Sequence, residues 1–253
     1  VTLLFLVFVG VAVYAWQDMK SRHERNAWER TLSIAVVLVR VTPLEPDAVG
    51  AFRDRVPALD ARLFAELRRY RPRGPRPFAL TFVGPVDLPA GPPSPGGEGL
   101  VDAVKRSWAL SRWADQVDAA TGLDARTFDS RIYVVARAPK AANLAMVEGE
   151  SEEGGRIGAV EVELKASMAD FALFVTAHEL MHTLGASDKY DSSGRAVFPG
   201  GFAEPERAPL FPQELAEVMA RNRPLSADEE RPPDTLNELA VGAATAREIG
   251  WTL

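Results

Sequence analysis

The stretch T-A-H-E-L-M-H-T-L-G-A-S-D-K-Y-D, Thr176 to Asp191, decides how the rest of the chain is read. Residues four apart on an α-helix lie one above the other, so the imidazoles of His178 and His182 can reach one metal ion from a single helix. Glu179 projects toward the same place, where it can handle a water on the metal rather than bind the metal itself. Gly185 can take the left-handed backbone that ends a helix and turns the chain back, which brings Asp188 within reach. Two nitrogens, one carboxylate and an open position would result.

Moving outward, Leu173, Ala177, Leu180 and Leu184 form the core side of this helix, and Ser167 with Asp170, spaced as S-x-x-D, form its expected cap. The preceding strand, Arg156 to Lys165, alternates: Val160, Val162 and Leu164 on one face, Glu161, Glu163 and Lys165 on the other, as in a half-exposed strand. An acidic, glycine-containing stretch, Glu148 to Gly155, reads as a linker, and Arg131 to Arg137 as another strand.

The chain has three histidines, and His23 sits in a charged stretch beside the N-terminal apolar segment. A site built on His178 and His182 therefore needs a carboxylate as third protein ligand. Asp188 is the nearest candidate, and Glu238, in Asn237-Glu238, the more distant one. The absence of cysteine excludes disulfides, thiolate zinc sites, a thiol nucleophile and latency through a propeptide thiol. A formal net charge of −6 gives no broad basic field, so nucleic acid is not an expected partner.

Upstream, Leu32 to Val39 is rich in β-branched residues and suits a strand buried on both faces. Asp47 to Arg69 reads as helix, interrupted or restarted at Pro57. Phe78 to Val83 is a second strand, ended by Gly84-Pro85, and Pro89 to Gly99 a loop. A helix from Leu100 to about Ala120 has two apolar groups, Val101, Val104 and Trp108, and Leu110, Trp113 and Val117, and so is expected to be covered on more than one side. The order of elements predicts an α+β fold, a mixed twisted sheet backed by helices. Downstream, Ser192 to Pro212 reads as irregular, Pro212 to Met219 as a short turn or helix start, and Thr235 with Glu238 as a capping box for a final helix ending near Gly250.

Val1 to Trp16 is a nearly unbroken apolar run, slightly shorter than the ~17–25 residues that usually span a bilayer. Ala12 and Ala15 are one position too far apart for the A-x-A of a cleaved leader, which favours a retained transmembrane anchor or signal-anchor over a processed one. A buried N-terminal helix is the plain alternative. Residues 17–29 would then be a juxtamembrane linker and 30–253 the globular domain. The expectation is a membrane-anchored chain with that domain extracytoplasmic, although Lys20, Arg22, Arg25 and Arg30 pull the orientation the other way under the positive-inside rule.

On the H-E-x-x-H-x-x-G-x-x-D pattern, with His178, Glu179, His182, Gly185 and Asp188, the chain resembles the metzincin clan of zinc metallopeptidases. Asp188 and Tyr190 also match the D-x-Y of snapalysin-type and immune-inhibitor-A-type members. The resemblance implies an upper lobe (30–185) with a twisted sheet, whose edge strand holds the substrate, followed by the active-site helix. An irregular lower lobe (186–253) and a C-terminal helix complete the fold. It makes Arg156 to Lys165 the edge strand and implies a Zn²⁺ cofactor, Glu179 as general base and acid, and a peptide or protein substrate. Met219 is the only methionine after the motif, and the clan's methionine turn falls there or is absent. Arg221 stands where astacin-like relatives have a tyrosine. Tyr190 could pack, cap or donate to the scissile carbonyl oxygen. Two alternatives stay open: a gluzincin-type peptidase with Glu238 as third ligand, and a catalytically silent, membrane-anchored binding protein on the same scaffold.

Overall fold

The computed structural model describes residues 19–93, 99–139, 147–151 and 155–252. The apolar run Val1 to Trp16 lies outside the described residues. Among those described, no helix is long and apolar enough to cross a membrane. The fold is α+β, built on a five-stranded and mostly parallel sheet in the order β2-β1-β3-β5-β4.

β1 (Leu32–Arg40) is an interior strand, buried on both faces as its β-branched composition predicts. It is parallel to β2 (Phe78–Asp87) on one side and β3 (Ser130–Arg137) on the other, and β3 is parallel to β5 (Ile157–Glu163). β2 passes through Gly84-Pro85 instead of ending there. The ladder absorbs the pair as a bulge opposite Val37 to Val39, and Gly84, at φ 102°, is the residue that permits it. A Cβ at Gly84 would lie 2.7 Å from the Leu38 carbonyl oxygen.

The edge strand is not the one expected. β4 (Val147–Ser151) runs antiparallel to β5 and covers its outer side, with Val147 opposite Val162 and Ser151 opposite Gly158. β4 lies in the stretch that reads as a linker from composition. Glycine and glutamate are poor strand formers, so its pairing is imposed by β5 across a hairpin rather than by local preference.

Helices cover both faces of the sheet. α1 (Pro46–Tyr70) lays Ala48, Phe52, Val56, Leu59, Leu63 and Leu67 along one face. It is continuous through Pro57, which is exposed beside exposed Arg53, so the carbonyl the proline leaves unpaired is on the solvent side. α2 (Leu100–Thr121) covers the other face with Leu110, Trp113, Ala114 and Val117, packed on Val37, Tyr133 and Val135. Among the described residues nothing covers its second apolar group: Val101, Val104 and Trp108 are each more than 60% exposed. The Arg112 guanidinium lies 5.0 Å from the Trp108 ring, giving that side chain a polar neighbour.

α3 (Ala169–Thr183) packs on the same face as α1 and is buried almost all round. Ser167 and Asp170 do not cap it. Asp170 instead holds Arg55 of α1 through two bonds of 2.6 and 2.7 Å and accepts the Leu236 amide. Arg55 therefore keeps the Asp170 carboxyl below its ordinary range, and burial only partly offsets this.

Residues 192–212 contain no helix or strand, as their proline and glycine content predicts. Beyond them come β6 (Ala216–Glu217), β7 (Arg223–Pro224), β8 (Glu230–Arg231), β9 (Leu239–Ala240) and α4 (Ala243–Glu248), with β6 parallel to β9 and β7 antiparallel to β8. The Thr235–Glu238 capping box does not form. Leu236–Glu238 is a separate 3-10 turn, and α4 starts later, after Gly242.

Residues 19–29, within the stretch expected as a linker, fold onto the domain. Residues 19–26 are helical, Trp28 is buried, and its indole N–H donates to the Ile249 carbonyl at 2.7 Å. Its ring meets Phe78 and Trp251 edge-on at 5.6 and 5.8 Å. Arg25 donates to the Gly155 carbonyl at 2.9 Å.

Candidate metal centre

α3 sits unusually close to the sheet. A Cβ at Gly158 of β5 would lie 3.1 Å from Ile132 Cδ1 and 3.3 Å from Glu179 Cβ, so the absence of a side chain there sets the depth of the helix. His178 and Glu179 are consequently buried, at 6% and 3% exposure. His182, one turn on, is partly open.

Each imidazole is oriented from its far side. His178 Nδ1 is 2.9 Å from the Val218 carbonyl and His182 Nδ1 is 2.8 Å from the Ala186 carbonyl. A carbonyl can only accept, so both rings carry a proton on Nδ1, and in the neutral form Nε2 is the lone pair that faces the site. This is the outer arrangement that metal-binding histidines use. The two Nε2 atoms are 3.0 Å apart.

α3 ends as its sequence predicts. Gly185 takes φ 95°, and the Gly185 and Ala186 amides fold back to the His182 and Met181 carbonyls. The Leu184 carbonyl accepts the Asn26 side-chain amide at 2.9 Å. The returning chain delivers Asp188, whose Oδ1 lies 3.3 Å from His178 Nε2 and 3.2 Å from His182 Nε2. Among the described residues, His178, His182 and Asp188 are the one group of three that could hold a metal ion. The three donors form a nearly equilateral triangle with edges of 3.0 to 3.3 Å. Tetrahedral zinc, with bonds of about 2.0–2.1 Å, needs ligand separations of about 3.3 Å, so the donors fit the ion with little adjustment.

One further observation supports that fit. Glu179 Oε2 is buried and has no hydrogen-bond partner in the structure, an expensive situation unless something in the site supplies one. Burial pushes the Asp188 carboxyl up, but donation and positive charge from the His178 and His182 imidazoles in their protonated form outweigh that and leave it well below the usual range. For His182 burial acts downward, and Asp188, Glu179 and the Ala186 carbonyl together leave the imidazole above its ordinary value.

No family model matches this chain, and none of the curated proteins is similar to it. The functional reading therefore rests on the chain's own residues.

Tyr190 does not point to an empty position. Its ring stacks on His178 with centroids 6.3 Å apart, and its hydroxyl lies near enough to Asp188 to feel that carboxylate. Burial first, and then the Asp188 charge, push that hydroxyl up to about 12, so it stays a donor. The Arg221 guanidinium lies 5.2 Å from the same ring. Met219 is fully buried in a 3-10 turn, Val218–Ala220, directly behind His178. Glu238 is not brought to the cluster. It pairs with Arg223 at 3.2 Å and accepts the Asp234 amide.

Several positioning residues escape a reading of the sequence. Lys189 donates its amide to the Met219 carbonyl at 2.9 Å, and its ammonium lies 2.7 Å from both oxygens of Glu248 on α4. Glu248 also accepts the Ser187 amide and hydroxyl. The turn that carries Asp188 is thus fixed on both sides of that residue. Glu217 is the other such residue. A single carboxylate in the apolar run Ala216-Glu217-Val218-Met219-Ala220 is the one sequence signal that could have marked a buried, partnered acid.

Proposed function

We propose that the chain is a zinc-dependent endopeptidase with His178, His182 and Asp188 as the protein ligands and Glu179 as general base and acid. The observation that carries this is the triangle of three donor atoms, two of them histidine nitrogens held in the metal-binding tautomer, beside a buried carboxylate oxygen with no partner. A zinc ion held there would supply Lewis-acid polarisation and make water acidic enough to react near neutral pH. Glu179 is placed to accept the proton of the attacking water and return it to the departing amine. Its burial keeps that proton from exchanging freely with solvent.

The sheet offers a place for the substrate. β4 stands at the end of the strand order, so its outer side can pair with an extended peptide through main-chain hydrogen bonds. The metzincin resemblance of the motif leads to the same chemistry, with β4 taking the edge position that the sequence assigned to Arg156 to Lys165. Val1 to Trp16 would anchor the chain in a membrane, with the peptidase domain on the extracytoplasmic side.

The test uses unfolded protein substrates, wild type and Glu179→Ala, with zinc content measured on both. Full zinc in both proteins and hydrolysis only by wild type is the expected result, with the variant slower by at least ~10²–10⁴-fold. Full zinc with no cleavage by either protein would instead favour a silent binding protein.

A further inference from the structure

Glu217 is completely buried, yet the chemistry proposed above makes no use of it. Its Oε2 accepts the Met219 amide at 2.5 Å, and its Oε1 accepts the Gly242 amide at 3.1 Å and the Thr245 hydroxyl at 2.7 Å. Those donors come from two places: the turn behind His178 and the start of α4. The fit is tight, because a Cβ at Gly242 would lie 3.0 Å from Glu217 Cγ. Burial pushes the Glu217 carboxyl up to about 7, against the pull of its three donors and of His178.

The turn that Glu217 holds has two outputs. Its Val218 carbonyl fixes the His178 Nδ1 proton, and its Met219 carbonyl receives the Lys189 amide next to Asp188. We infer that Glu217 is a positioning residue of the metal centre, setting through one turn both the His178 tautomer and the place of Asp188, and tying both to α4. The inference rests on the ligand assignment proposed above. It also explains why a carboxylate stands at a site where burial is costly. An apolar side chain of similar size would leave the Met219 and Gly242 amides without acceptors.

The experiment measures zinc affinity by chelator competition, and the visible spectrum of the cobalt-substituted protein, for wild type, Glu217→Ala, Glu217→Gln and Val117→Ala. Val117 is on the sheet-facing side of α2, on the opposite face of the sheet, so its truncation destabilises the fold without touching the centre. The carboxamide in Glu217→Gln keeps the volume but has a single acceptor oxygen for two amides, so this variant carries the test if Glu217→Ala does not fold. Zinc affinity is expected to fall about tenfold or more in Glu217→Ala and about threefold or more in Glu217→Gln, with an altered cobalt spectrum in both. Val117→Ala should keep wild-type affinity and spectrum. Wild-type affinity and spectrum in Glu217→Gln would overturn the inference, as would an equal loss in Val117→Ala. A wild-type protein that binds neither metal would bring down the ligand assignment itself, and this inference with it.

Discussion

The two halves of the candidate centre are built differently. His178 and His182 are placed by the period of one helix, and any sequence that makes α3 helical stacks them. Asp188 is placed by tertiary ties: the positive φ of Gly185, the Lys189–Met219 backbone bond, the Lys189–Glu248 pair and the Tyr190 hydroxyl. The helical half takes its spacing from the helix alone and relies on neighbours only to orient the two rings. The turn half depends on several contacts, each worth little alone, so graded damage to the site should come through Asp188.

That contrast can be broken at several points, and the largest effect belongs to the helical half. His182→Ala should lower zinc affinity by at least about a thousandfold, since it removes one of three protein ligands, with far-ultraviolet circular dichroism unchanged. Retained affinity would mean that the helix does not supply two ligands.

Next comes the pH dependence of the Glu217 anchor in the metal-free protein. A carboxyl raised to about 7 in the folded chain gives stability that is complete below its unfolded value and is lost as pH rises through the folded one. The stability of wild type relative to Glu217→Gln should therefore fall between about pH 4.5 and 7, by on the order of 3 kcal/mol. Denaturant midpoints across that range would show it, and a flat difference would count against a burial-dominated carboxyl.

Smaller effects should come from the ties around Asp188. Glu248→Ala should weaken zinc binding about tenfold by releasing Ser187 and Lys189, a loss that His178→Ala would hide because affinity is already gone. Tyr190→Phe, which removes a single hydroxyl from Asp188, should cost only a few-fold. If Glu248→Ala proved harmless while Tyr190→Phe abolished binding, the hydroxyl would be doing more than orienting Asp188.

The same division between local and tertiary determinants explains what could be read in the sequence. β1, β3, β5 and α3 follow from β-branched runs, alternation and helical spacing, and the Gly185 turn follows from its residue type. β4 could not be read, because Val147 to Ser151 is glutamate- and glycine-rich and becomes a strand only against β5. Pro57 and Gly84-Pro85 look like breaks, yet the solvent side of α1 and a bulge opposite β1 accommodate them. The second apolar group of α2 suggested a covering that the described residues do not provide. Ser167, Asp170, Thr235 and Glu238 have the spacing of caps, but Arg55 and Arg223 claim the two carboxylates from other elements. At the site, both histidines, Glu179 and Asp188 are legible from spacing. Apart from the Ala186 carbonyl, four residues past His182, the carbonyls and carboxylates that orient them are not, because they come from residues about 30 to 60 positions further along the chain.

The most direct test of the central claim, that Asp188 completes a three-ligand site with the two histidines, is zinc content after dialysis for wild type, Asp188→Ala and Glu238→Ala. One zinc per chain in wild type and in Glu238→Ala, with loss in Asp188→Ala, is the predicted result. Retained zinc in Asp188→Ala together with loss in Glu238→Ala would contradict it.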